Sequence, residues 1–165
     1  MIVLREPFTA DSPFLVKNLN DVRVIEHLSS RIPTPYSVTD SLHWINVLSS
    51  LDAINRIIEV NSQAVGVVGA YLSRDQAEIG YWLTPDVWGK GIASQAVSLF
   101  SSWLFRHTTV SEIINPVNAQ NIASRRVMEK TGYKPVKTET FINKNNHMDS
   151  EVFYLLTKAD NGRLY

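Results

Sequence analysis

Cysteine is absent from the 165 residues. That absence excludes a thiol nucleophile, disulfide bridges and thiolate metal ligands together. Charge of one sign is also missing, because 16 basic and 16 acidic side chains leave a formal net charge of zero. Such a balance offers no bulk attraction to nucleic acid or to an anionic membrane. No apolar run approaches the roughly 20 residues that cross a bilayer. Met1-Ile2-Val3-Leu4-Arg5-Glu6 lacks the basic start and longer apolar core of a secretory leader. Linkers, repeats and low-complexity tracts are missing too. These features predict a cytoplasmic, soluble chain with one domain over residues 1–165. His27, His43, His107 and His147 show no metal-ligand spacing, so no metal is expected. What remains, 44% apolar and 19% charged residues, is enough apolar material to close a core.

Hydrophobic periodicity orders the elements. Residues 2–6 alternate as a strand, and residues 10–29 carry Phe14, Leu15, Leu19, Val22, Ile25 and Leu28 at the spacing of two short helices. Pro33 and Pro35 break the chain, after which Thr39 or Asp40 can cap a helix bearing Leu42, Ile45, Val47 and Leu48. Residues 53–60 and 64–72 read as a hairpin about Asn61-Ser62-Gln63, and 77–83 as a third strand. Ile92 to Phe105 has a wide apolar stripe opposite serines and Arg106, the pattern of a helix resting on a sheet. A strand at 110–117, a helix at 121–130 stopped by Gly132, and a hairpin of 133–142 with 148–157 complete the order. Antiparallel hairpins around a strand–helix–strand crossover predict one mixed α/β sheet with helices on both faces.

The most informative stretch runs from Glu78 to Ala93. A strand enters a turn with two glycines one residue apart, Gly89-Lys90-Gly91, and a long helix follows at once. Without a Cβ the backbone can approach a ligand closely. The first helical amides have no intrahelical acceptor and lie at the positive end of the dipole. Together they suit a diphosphate. Two nucleotide-binding fingerprints fail here. Ser94 stands where the dinucleotide motif needs a third glycine, and Gly91 follows Gly89-Lys90 where a P-loop needs Ser or Thr.

Residues 77–133 resemble the GNAT superfamily of acyl-CoA-dependent N-acyltransferases, whose phosphate loop reads Gln/Arg-x-x-Gly-x-Gly/Ala. Asp86-Val87-Trp88-Gly89-Lys90-Gly91 supplies it, departing only at Asp86. Gly80-Tyr81-Trp82-Leu83, Pro85-Asp86-Val87-Trp88-Gly89-Lys90-Gly91 and the block from Asn121 to Tyr133 are similar to the RimJ/RimL-like branch, where aspartate is ordinary. The resemblance implies a mostly antiparallel sheet of six to seven strands, splayed at its centre between residues 77–83 and 110–117. It implies acetyl-CoA as co-substrate, held by Leu83, Thr84, Gly89, Lys90, Gly91, Ile92, Ala93, Ser94 and Asn121. Its preferred acceptor is a protein N-terminal α-amine, with polyamines or antibiotics as alternatives, and a monomer or homodimer as the assembly. A non-catalytic acyl-CoA sensor is the reading from another class.

An amine must be neutral to attack a thioester. At pH 7 this costs about 4.6 kcal/mol for a lysine and about 1–1.4 kcal/mol for an α-amine. Glu78, upstream of Leu83 in the same strand, is the candidate base, acting through water, with a solvated strand carboxylate as the plainer reading. Pro116 lacks an N–H, which suits a strand that leaves its neighbour. Some relatives assist the departing thiolate with a tyrosine seven residues after the asparagine, where this chain has Met128. Ser124 is the alternative donor. Arg125, Arg126 and Lys130 read as a solvated helix face, and the four tryptophans mainly as packing. Tyr36 and Trp82 could line the acceptor side, as the resemblance implies.

Overall fold

A computed structural model describes residues 1–28, 31–48 and 52–162. The β-branched runs form β1 (Ile2–Arg5), β2 (Ala53–Val60), β3 (Gln63–Ser73), β4 (Gln76–Leu83), β5 (Glu112–Asn118), β6 (Lys134–Ile142) and β7 (Met148–Thr157). They make one seven-stranded sheet in the order β1-β2-β3-β4-β5-β7-β6. Every neighbouring pair is antiparallel except β4 and β5. That parallel pair is joined by α4 (Ile92–His107), the crossover helix.

The two sheet faces carry separate cores. Ala96, Val97, Phe100 and Leu104 on α4 pack with Met128 of α5 (Ile122–Lys130) against Ile58, Val68, Ile79 and Ile113. On the other face α1 (Ser12–Asn18), α2 (Val22–Ile25) and α3 (Val38–Asn46) bury Leu15, Val24 and Ile45 against Ile57 and Val67. Burying a Leu, Ile or Phe side chain is worth about 1.5–3 kcal/mol, so both layers hold the sheet. No helix among the described residues is long and apolar enough to cross a membrane.

Local chemistry shifts several boundaries. The cap of α3 is Ser37, not Thr39 or Asp40. Its hydroxyl accepts the Asp40 N–H at 3.1 Å, and Asp40 Oδ2 accepts the Ser37 N–H at 2.8 Å. Val47 and Leu48 lie past the end of that helix. The first hairpin turns on two residues, Asn61 and Ser62, both with positive φ, so Gln63 already belongs to β3. The fifth strand starts at Glu112 rather than Val110. Residues 10–29 resolve into a 3₁₀ turn (Thr9–Asp11), α1 and α2, with Ser29 outside the described residues. A short α6 (Lys158–Asn161), capped by Thr157, was not anticipated by periodicity.

Arg5 ties β1 to the 3₁₀ turn and to β2, meeting Asp11 at 2.7 Å and Glu59 at 2.6 Å. Burial pushes the Asp11 carboxyl up, but hydrogen bonds from Arg5 and the Phe8 amide outweigh it. The carboxyl therefore sits below the usual range.

Candidate active site

The sheet opens where β4 and β5 part. Their pairing stops at Glu78 with Ile114. In a parallel ladder the next rung would bring an N–H from position 116 to the Ile79 carbonyl, and Pro116 has none. The buried Asn115 carboxamide, oriented with nitrogen toward acceptors, donates to that carbonyl at 3.1 Å instead. Proline ends the ladder and asparagine satisfies its last acceptor.

Beyond that point β4 stays paired with β3 alone. Thr84 N–H donates to the Val65 carbonyl at 2.8 Å. This fixes the alternation: even-numbered residues of β4 turn their backbone groups to β3, and odd-numbered ones turn theirs to the β5 side. Tyr81 and Leu83 thus point amides into the space that β5 has vacated. The Thr84 amide, by contrast, is already taken. Trp88 Nε1 donates to the Leu83 carbonyl at 2.9 Å. That indole, expected to pack, is half exposed and braces the loop against the strand end.

The loop that follows is built for close approach. A 3₁₀ turn, Pro85–Val87, leads to Gly89 at φ 73° and Gly91 at φ 76°. Both are left-handed conformations that glycine adopts without penalty. A Cβ added at either would meet nothing within 4 Å, so both face open space. The first helical bond of α4 is from Gln95 N–H to the Gly91 carbonyl. The amides of Ile92, Ala93 and Ser94 therefore have no acceptor within the helix. Lys90 folds back, its Nζ donating to the Asp86 carbonyl at 2.8 Å.

On the α4 side of the opening, Asn121 caps α5 by accepting the Ser124 N–H at 3.1 Å. The Ser124 hydroxyl lies 2.9 Å from the Tyr81 hydroxyl. Tyr81 is a site residue that the sequence reasoning missed, because no motif spacing links it to Ser124, 43 residues on. Burial pushes its phenol up to about 12, with Ser124 acting the other way. Arg125 is engaged in bracing, donating to the Tyr154 hydroxyl and the Ala119 carbonyl, both at 3.1 Å.

On the opposite face lie Glu78 and Trp82. Trp82 stacks on Phe14 with ring centroids 5.6 Å apart. Tyr36 is buried in the same layer, its backbone clamped by Asn20 at 2.8 and 2.9 Å. Burial and then Asp40 push its phenol up to about 12. Tyr36 and Trp82 therefore build the wall under α1–α3. Glu151 of β7 joins Glu78 on this face, because Val152, Tyr154 and Leu156 turn into the α4 core. Its carboxyl is pushed up, first by burial and then by Glu78, Glu139 and Asp149. This second carboxylate is invisible in sequence because the charges come from three strands, β4, β6 and β7. A cleft of about 280 Å³ lies nearby, lined by Glu26, His27, Asn118, Gln120 and Asn121.

Known proteins share this fold. A model of the acetyltransferase (GNAT) domain matches residues 2–134. An uncharacterized N-acetyltransferase p20 of Bacillus licheniformis is 26% identical over 140 residues, covering 81% of this chain and 79% of its own. Among solved structures, a RimL ribosomal L7/L12 α-N-protein acetyltransferase with coenzyme A superposes with TM-score 0.85 at 18% identity. That match covers 94% of this chain and 93% of RimL. AAC(6')-Ib with ribostamycin and coenzyme A gives TM-score 0.82 at 18% identity over 98% and 96%. At such identities the superpositions establish the mixed, splayed-sheet fold, whereas the domain match covers most of the sequence. The chain belongs to the GNAT acetyltransferase family.

Proposed function

We propose that this protein transfers acetyl from acetyl-CoA directly to a primary amine, its preferred acceptor being a protein N-terminal α-amine. The observation that carries the donor half is the left-handed Gly89-Lys90-Gly91 loop opening onto the free amides of Ile92, Ala93 and Ser94. The diphosphate rests there, and the pantetheine arm runs along the odd-numbered side of β4. The Leu83 amide then polarises the thioester carbonyl and stabilises the oxyanion that forms on attack. Glu78 draws the proton from the amine through water, Ser124 meets the departing sulfur, and Asn121 borders the arm. With no cysteine in the chain, an acyl-thiol enzyme intermediate is excluded.

The α-amine preference rests on the Gly80-Tyr81-Trp82-Leu83 and Trp88-Gly89-Lys90-Gly91 blocks shared with the RimJ/RimL-like branch. An α-amine also asks less of a base than a lysine does, by about 3 kcal/mol at pH 7. Small-molecule amines are the second reading, favoured by the likeness to AAC(6')-Ib. Thiol release from acetyl-CoA is the direct assay, since the protein contributes no thiol background. Peptides with free N-termini should be turned over with higher kcat/KM than polyamines or aminoglycosides. A reversed order would assign the small-molecule acceptor, and no turnover with CoA still bound would assign a sensor.

A further inference from the structure

The Tyr81–Ser124 contact has more to it than packing. Tyr81 stands on β4 three residues past the last rung with β5, and Ser124 lies in the first turn of α5, the helix that follows β5. Their hydroxyls, 2.9 Å apart, bridge the opening on its α4 side. A serine inside a helix can point to solvent or return its hydrogen to the carbonyl one turn back. Ser124 makes no such bond among the described residues, where its hydroxyl meets Tyr81 alone. Its backbone is fixed by the Asn121 cap, so the hydroxyl is held in place from both sides.

Two hydroxyls carry two hydrogens, and only one lies between the oxygens. We propose that Tyr81 is a positioning residue for thiolate departure: its O–H donates to Ser124 Oγ and so turns the Ser124 hydrogen toward the sulfur. This rests on the reading above that the thioester lies between β4 and β5. When the amine nitrogen attacks, the C–N bond forms and the C–S bond breaks. The electron pair leaves on sulfur, where it is met by the chain Tyr81 O–H to Ser124 O–H to S⁻. The surplus amine proton leaves through the Glu78 water, and the thiolate takes a proton from solvent on release. Tyr81 keeps its own proton throughout, because its phenol lies far above the usual thiol value near 8.5. Hydrogen bonds in a chain polarise one another, so the second hydroxyl strengthens the first.

The test is the pKa of the CoA thiol bound to the protein, read from thiolate absorbance. The missing cysteines leave CoA as the only thiol in the cuvette. Wild-type protein should hold that thiol below its free value. Tyr81→Phe and Ser124→Ala should each raise it while CoA affinity changes by less than about twofold. In turnover, Ser124→Ala should lower kcat about tenfold, the scale of one hydrogen bond to a charged group. Tyr81→Phe should lower it about threefold, and the double variant no further than Ser124→Ala alone. An unchanged thiol pKa in Tyr81→Phe, or fully additive losses, would overturn the positioning role while leaving CoA binding intact. Absence of CoA binding in wild-type protein would overturn the parent reading and this one together. Thermal melting of each variant separates loss of fold from both results.

Discussion

Replacing Gly91 by alanine separates a phosphate cradle from an ordinary turn. At φ 76° an alanine is strained by about 1 kcal/mol. Its Cβ meets nothing within 4 Å, so no clash inside the protein adds to that. In a chain of this length 1 kcal/mol lowers Tm by about 2–4 °C. The consequence for ligand is larger. If a diphosphate sits against these amides, the methyl occupies its space and forfeits at least one charge-assisted hydrogen bond. That is about 1.5–3 kcal/mol, or roughly 10- to 150-fold in Kd. Titration calorimetry with CoA, and with pantetheine as the analogue lacking the diphosphate, reads this directly. CoA should weaken by that factor and pantetheine should not. Gly80→Ala is the control, being exposed, free of close neighbours and outside the left-handed region. It should bind as wild type. A Gly91→Ala protein that melts a few degrees lower yet binds CoA with wild-type affinity would refute the reasoning.

Glu78→Gln should lower kcat about 10²-fold with CoA affinity unchanged. Full turnover by that variant would move the base elsewhere, Glu151 being next to test. Asp11→Asn should destabilise the protein by about 1.5–3 kcal/mol, the worth of a hydrogen bond to a charged group, because Arg5 loses its Asp11 partner and keeps only Glu59; urea unfolding measures it. The pH dependence has a fixed sign. The Asp11 carboxyl is held below its unfolded value, so its contribution is complete above about pH 4 and is lost as pH falls through the lower folded value. Wild type should lose more stability than Asp11→Asn between pH 5 and pH 2, and parallel curves would contradict the assignment. Asn115→Ala should cost about 1–3 kcal/mol by leaving the Ile79 carbonyl without a donor. A stability within about 0.5 kcal/mol of wild type, roughly half a hydrogen bond, would show water serving that carbonyl.

Periodicity and glycine carried most of the fold and the shape of the candidate phosphate loop. Period-two runs located the strands, and the two glycines before an amphipathic stretch located the loop. Pro116 signalled the parting of β4 and β5. What periodicity could not supply was the hydrogen bonding of single side chains. Trp88 reads as packing until its indole is seen on the Leu83 carbonyl. Tyr81 carries no role in the sequence until Ser124 meets it across the opening. Glu151 gains its neighbours Glu78, Glu139 and Asp149 only when β4, β6 and β7 join one sheet. Ser37, the α3 cap, is hard to single out in sequence because Thr39 and Asp40, capping types as well, stand two and three residues on. Tyr36 shows the limit on the acceptor side, since a residue expected near substrate is buried beneath the N-terminal helices.

The proposed acetyl transfer depends on a diphosphate lying at the start of α4. Amide chemical shifts recorded by ¹⁵N NMR during a CoA titration test this residue by residue. The largest changes should fall on Gly89, Gly91, Ile92, Ala93 and Ser94, with a second group at Tyr81 and Leu83. Shifts confined to another surface, with those seven amides unmoved at saturation, would contradict it.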